Sequence, residues 1–222
     1  MKSLFLLIVF TGAVLNAQDF TVKSPDNNIV IKISNGEKLS YSVTYHNRII
    51  VNPSQLGFEL KDEPAMTGNF AIVDQSIKNF NETWIPIVKS KHAEIINNYS
   101  KLQISLKKKY GHMRDMEFFV RAYNDGAAFR YKLSRSGKAG DRQIVKELTT
   151  FNIPGDPKAW IVEYKGYSSS NEAEFFEHPL SYLTEKSIAG MPMLIEYGNN
   201  CWVAITEAKI DNYAALYIGT TG

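Results

Sequence analysis

Period-two alternation of apolar and polar residues limits this chain to sheet structure more firmly than any other feature. Asn28-Ile29-Val30-Ile31-Lys32-Ile33 places Ile29, Ile31 and Ile33 on one face, because successive side chains of an extended strand point to opposite sides. Asn35-Gly36 follows as a turn signal, and Leu39 to Tyr45 repeats the alternation. His46-Asn47-Arg48 then turns into Ile49-Ile50-Val51, which makes a three-stranded meander. Further strands are predicted at 56–60, 101–106, 116–123, 127–133, 193–197, 201–206 and 212–218. Asn124-Asp125-Gly126 and Gly198-Asn199-Asn200 mark hairpins, since Asn, Asp and Gly tolerate positive φ. Two stretches read as helix, 92–99 and 172–183, the second interrupted by Pro179. No βαβ alternation, internal repeat or Pro/Gly/Ser-rich linker is present, so the pattern predicts one all-β domain, a sandwich or barrel.

Composition removes several function classes. A formal charge of +2 on 25 basic and 23 acidic side chains gives no clustered basic excess for nucleic acid. A single cysteine, Cys201, closes no intrachain disulfide, so stability must come from a core. The first segment reads as an address. Lys2 precedes the apolar run 4–10, and small residues lead to Ala17-Gln18. Such a run is far short of the roughly 20 residues that span a bilayer, so 1–17 reads as a secretory signal peptide cut after Ala17. Leu15 sits at the third position before the cut, where a small residue is usual, and no cysteine adjoins it to suggest a lipid anchor. The expectation is an exported protein, periplasmic or extracellular in a bacterium, with no membrane span.

Motifs for chemistry are sparse. His46, His92, His112 and His178 lie far apart without metal-ligand spacing. There is no G-x-S-x-G, P-loop or G-x-G-x-x-G. Asn81-Glu82-Thr83 and Asn98-Tyr99-Ser100 fit the N-glycan acceptor pattern, which carries no meaning in a bacterium. Glu172-Ala173-Glu174-Phe175-Phe176-Glu177-His178 reads either as carboxylates for a sugar or cation, or as a solvated helical turn packed on Phe175 or Phe176. Trp84, Trp160 and Tyr167 suit sugar stacking and core packing equally. Glu207 stands apart. Continuing the register of Cys201, Val203 and Ile205 puts it at the end of an apolar row, where an ionised carboxylate needs a cation or hydrogen bonds. The other reading ends the strand at Thr206 and turns Glu207 to water.

The order of a signal segment, Ser24-Pro25-Asp26-Asn27-Asn28, Leu56-Gly57-Phe58-Glu59-Leu60, Asn81-Glu82-Thr83-Trp84-Ile85-Pro86, Arg121 to Tyr131 (R-A-Y-N-D-G-A-A-F-R-Y) and Thr206-Glu207-Ala208 resembles the N-terminal domain of glycoside hydrolase family 97. The resemblance runs over essentially the whole mature chain and is most specific in the Asn81 and Arg121 blocks. It implies exported α-glucosidases and α-galactosidases of Bacteroidetes-type bacteria. Their N-terminal β-super-sandwich, similar to galactose mutarotase, precedes a (β/α)8 catalytic barrel and a small C-terminal β-domain. It also implies that Glu207 is a calcium ligand beside the catalytic centre, with the remaining carboxylate ligands supplied by the barrel.

On this reading residues 18–222 cover most of the super-sandwich, and the two carboxyl groups that glycoside hydrolysis requires lie in a barrel outside this sequence. The chain alone is expected to be inactive and to bind calcium weakly at best, since calcium takes about six to eight oxygen ligands. Oligosaccharide or α-glycoside substrate would be engaged through the barrel. Two alternatives stand beside it. One is a free-standing carbohydrate-binding sandwich; the other is a mutarotase-like epimerase using His and Glu as acid and base.

Overall fold

A computed structural model describes residues 18–89, 91–108, 115–133, 143–210 and 213–220. The signal segment 1–17, His112 and Asn212 lie outside the described residues. The chain forms two compact units that meet in sequence at Asn152 and Ile153.

The first unit opens with an antiparallel meander of β1 (Gln18–Lys23), β2 (Ile29–Asn35), β3 (Leu39–Tyr45) and β4 (Arg48–Gln55), in that spatial order. Each connection has a local cause. Between β1 and β2, the Ser24 hydroxyl donates to Asp26 Oδ1 at 2.5 Å and accepts from the Ile29 amide at 2.9 Å. Asp26 Oδ1 also accepts from the Asn28 amide at 3.1 Å, and Asn27 takes up the left-handed conformation at φ 62°. Between β3 and β4, His46 and Asn47 both have positive φ (48° and 63°), as a two-residue hairpin turn of matching twist requires.

A second meander, β7 (Phe70–Trp84), β8 (Ile95–Lys108), β9 (Asp115–Tyr123) and β10 (Ala127–Leu133), runs in the order β10-β9-β8-β7. The β9–β10 turn is the Asn124-Asp125-Gly126 hairpin, with the Tyr123 amide donating to the Gly126 carbonyl at 2.8 Å. β1 and β2 lie against β8 and β9, so the two sheets face one another as a sandwich. The alternation supplies the filling. Ile29, Ile31 and Ile33 from one sheet and Leu102, Ile104, Leu106, Met116, Phe118 and Val120 from the other are buried. Each such large side chain contributes about 1.5–3 kcal/mol by leaving water. Asn35 is a buried polar exception with both amide atoms satisfied. Its Nδ2 donates to the Phe70 carbonyl at 2.8 Å, and its Oδ1 accepts from the Phe70 amide at 3.1 Å.

A smaller sheet of β5 (Phe58–Leu60), β6 (Glu63–Met66) and β11 (Ile144–Glu147), ordered β11-β5-β6, completes the unit. Gly57, at φ 131°, precedes β5 with its α-carbon against the Met66 carbonyl, where any Cβ would collide. That is why the predicted strand 56–60 starts only at Phe58. Tyr131, between Phe58 and Phe118, has its hydroxyl 3.0 Å from Thr149 Oγ1, and burial pushes its phenol well above the usual range.

The second unit is one sheet of β12 (Lys158–Ile161), β13 (Phe176–Pro179), β14 (Met193–Glu196) and β15 (Trp202–Ile205), ordered β13-β12-β14-β15. The all-β expectation holds throughout the described residues, and the two helix predictions do not. Residues 95–99 belong to β8, where β-branched Ile95 and Ile96 pair with Trp84 and Thr83. In 172–183, β13 is followed by a short 3₁₀ turn, Leu180–Tyr182, because Pro179 has no amide to continue a helix. Phe175 and Phe176 are both exposed, so neither packs beneath a helical turn. The strand predicted at 212–218 is absent from its described part, 213–218, apart from an isolated bridge between Ala189 and Ile218.

Candidate functional site

Glu207 lies two residues beyond β15, and the register read from the sequence reaches it. Cys201, Val203, Ile205 and Glu207 are half-buried, while Trp202, Ala204, Thr206 and Ala208 are exposed. The hairpin that delivers β15 turns on Gly198, Asn199 and Asn200, all with positive φ, and closes with the Cys201 amide donating to the Gly198 carbonyl at 3.0 Å. β15 pairs with β14 so that Val203 meets Ile195 and Ile205 meets Met193, two buried side chains. The row ending in Glu207 therefore sits on the packed side of the sheet.

The carboxylate does not turn to open water. Its Oε2 accepts a hydrogen bond from the Leu216 amide at 2.8 Å. The segment carrying Leu216 is also tied down two residues later, where Ile218 and Ala189 exchange backbone hydrogen bonds at 2.8 and 2.9 Å. Tyr217, between these anchors, meets Tyr164 edge-on at 6.0 Å and Tyr167 at 5.4 Å between ring centroids. Gly190 leaves room for the Tyr164 ring, which a Cβ there would strike. Glu207 is thus held by the amide of the residue that precedes Tyr217, and of the rings around Tyr217, Tyr167 is 75% exposed.

Chemically, the arrangement offers one oriented carboxylate. The Leu216 amide engages one lone-pair direction, and a carboxylate has about four. Among the described residues no group of three or more His, Cys, Asp or Glu gathers to hold a metal ion. Glu207 fits calcium as an oxygen donor, but these residues do not by themselves make a calcium site.

The other candidate residues are scattered. Glu177 pairs with Lys158 at 2.6 Å, and His178 stacks on Tyr182 at 3.9 Å. The Tyr182 hydroxyl donates to Glu163 Oε2 at 3.2 Å, and that neighbouring carboxylate raises the phenol pKa. Trp84 ends β7 with an exposed indole, in the first unit. Trp160 is half-buried against Trp202, with ring centroids 5.1 Å apart. Sequence reasoning passed over Trp202, Tyr164 and Tyr217. Trp202 was recoverable, because it stands out of phase with the apolar row of its own strand.

Residues 22–222 match the family model described as glycosyl-hydrolase 97 N-terminal. The chain belongs to that family. A retaining α-galactosidase of Bacteroides thetaiotaomicron is 30% identical over 233 residues, an alignment that covers 100% of this chain and 34% of the relative. The chain thus spans about a third of the length of this curated relative. Among solved structures, a variant of a glycoside hydrolase family 97 enzyme from Pseudoalteromonas sp. strain K8 superposes with a TM-score of 0.81 at 24% identity, over 90% of this chain and 30% of that one. A family 97 enzyme from the same strain in complex with acarbose gives 0.78 at 23% identity, again over 90% and 30%. These superpositions show the fold, a β-sandwich shared with family 97 enzymes. No helix among the described residues is long and apolar enough to cross a membrane.

Proposed function

We propose that these residues form the N-terminal sandwich of an exported, calcium-dependent α-glycosidase, an α-glucosidase or α-galactosidase. In it they brace a catalytic region and present Glu207 to a calcium ion. The observation that carries this reading is the family match across residues 22–222. The retaining α-galactosidase among its relatives supports the substrate class, and the charged, then apolar 1–17 segment supports export. The Leu216 hydrogen bond supports the role given to Glu207, because it fixes the carboxylate while leaving lone pairs for a cation. Calcium's other oxygens, and the paired carboxyl groups of glycoside hydrolysis, would come from the longer protein.

The test uses the longer enzyme that contains these residues, as wild type and as Glu207→Gln. Calcium content after dialysis and hydrolysis of chromogenic α-glucoside and α-galactoside would be measured with and without chelator. Loss of a ligand should weaken calcium binding by about 10–100-fold or more, and activity should fall with it. A Glu207→Gln enzyme with wild-type calcium affinity would overturn the metal role, and absence of α-glycoside hydrolysis in the wild type would overturn the enzyme reading.

A further inference from the structure

The second unit carries a surface that the reading above does not use. In an antiparallel sheet, residues paired across strands share a face. Lys158 pairs with Glu196, which pairs with Trp202; Trp160 pairs with Leu194 and, on its other side, with Glu177. These six side chains therefore lie on one face, opposite to the face whose row ends in Glu207. Trp160 and Trp202 come from β12 and β15, on either side of β14. With neighbouring strands about 4.8 Å apart, those backbones are separated by roughly 10 Å. The indoles nevertheless close to 5.1 Å between centroids, at 48°. They lean together over β14, with Trp202 47% and Leu194 37% exposed.

We propose that this face is a carbohydrate-binding platform for α-linked pyranose chains, with Trp160 and Trp202 as its floor and Lys158, Glu177 and Glu196 as its polar rim. A pyranose ring has an apolar C–H face and a girdle of hydroxyls, and the surface mirrors both parts. The indoles offer broad, stiff apolar area. Beside them, the Lys158–Glu177 pair at 2.6 Å and Glu196 supply donors and acceptors for hydroxyls. One lysine against two glutamates disfavours a phosphate or nucleic-acid ligand. The tilt between the rings suits a glycan that turns from one residue to the next, as α-linked chains do, better than a flat β-linked one. The choice of sugar class rests on the glycosidase reading above; the platform's geometry does not.

The test is calorimetric titration of the full chain with maltoheptaose and with cellohexaose, supported by saturation-transfer NMR. Maltoheptaose should bind saturably, and cellohexaose at least about fivefold more weakly. Trp202→Ala, checked for native circular dichroism, should weaken maltoheptaose by about tenfold, the loss expected for one aromatic contact. Trp202→Phe should recover part of it. The titration with maltoheptaose should give the same affinity with and without chelator, so failure of the metal role and failure of the platform are separable. Absence of saturable binding, equal affinity for both glycans, or affinity unchanged in Trp202→Ala would each overturn the proposal. So would a concentration-dependent dimer that Trp202→Ala abolishes, since the face would then be an interface between copies.

Discussion

Aromatic rings meet one another in both units, but, the exposed Tyr45–His46 pair of the first unit apart, in different surroundings. In the first unit Phe118 contacts Phe129 at 5.8 Å and Tyr131 at 5.1 Å, and Tyr41 lies 5.1 Å from Phe129, with Phe118 and Tyr41 both buried. In the second unit the pairs Trp160–Trp202, Tyr167–Tyr217 and His178–Tyr182 each include an exposed ring. The first set removes apolar surface from water and so supplies stability. The second leaves much of its surface wet, which is a poor use of large rings for stability and a natural one for recognition. The difference assigns folding energy to the sandwich and is the contrast on which the platform proposed for the second unit rests.

The sharpest way to break that contrast is to truncate one ring from each set. Phe118→Ala removes a side chain with no exposure and leaves a cavity, and should cost about 3–5 kcal/mol in urea unfolding. Trp202→Ala should cost only about 1–2 kcal/mol, since almost half of its surface is already in water. Equal losses from the two variants would show that the exposed pair is structural and would remove the contrast.

A smaller effect sharpens what the first unit's stability consists of. Asn35→Ala leaves the Phe70 amide and carbonyl without the two hydrogen bonds they now make. Leaving a buried polar group unsatisfied costs about 1–3 kcal/mol. The expected result is a loss in that range, with faster hydrogen exchange at the Phe70 amide. Unchanged protection at Phe70 would mean that its partner is water rather than Asn35.

What the sequence displayed follows the same division. β2 and β3 were readable because each has one buried face, which imposes period two on Ile29, Ile31, Ile33 and on Leu39, Tyr41, Val43. β7 was missed altogether. It is an edge strand with Asp74, Lys78 and Glu82 along it and little burial after Phe70, so no alternation is imposed. The 212–218 run misled in the opposite direction. It is apolar, yet Leu216 gives its amide to Glu207 instead of to a neighbouring strand. Glu207's place in the row was visible from alternation, whereas its partner was not, because Leu216 lies nine residues further on and no strand pattern leads to it. The calcium role came from family resemblance alone, and no pattern of spacing within this chain would have suggested it.

The smallest expected effect compares two carboxylates that do similar work in the two units. Asp26 holds the β1–β2 turn, and its pKa is lowered chiefly by the Ser24 hydroxyl and then by the Asn28 amide. Asp156 binds Ser181 twice, Oδ2 accepting from the hydroxyl at 2.7 Å and Oδ1 from the amide at 2.8 Å, and its pKa is lowered first by that hydroxyl. Both start from an ordinary value of 3.8, so the folded state favours the ionised form. Their contribution is therefore complete above the unfolded value and is lost as pH falls through the lower, folded one. Melting temperatures should be flat from pH 7 to about 5 on this account and decline more steeply below about 4. Asp26→Asn and Asp156→Asn should each flatten part of that acid decline, and solvent exposure keeps both effects small. The two variants also separate the units: amide exchange near Ser24 should respond only to Asp26→Asn, and exchange near Ser181 only to Asp156→Asn. A wild-type acid profile in both variants would mean that these turns are held by their backbone conformation and not by the charge.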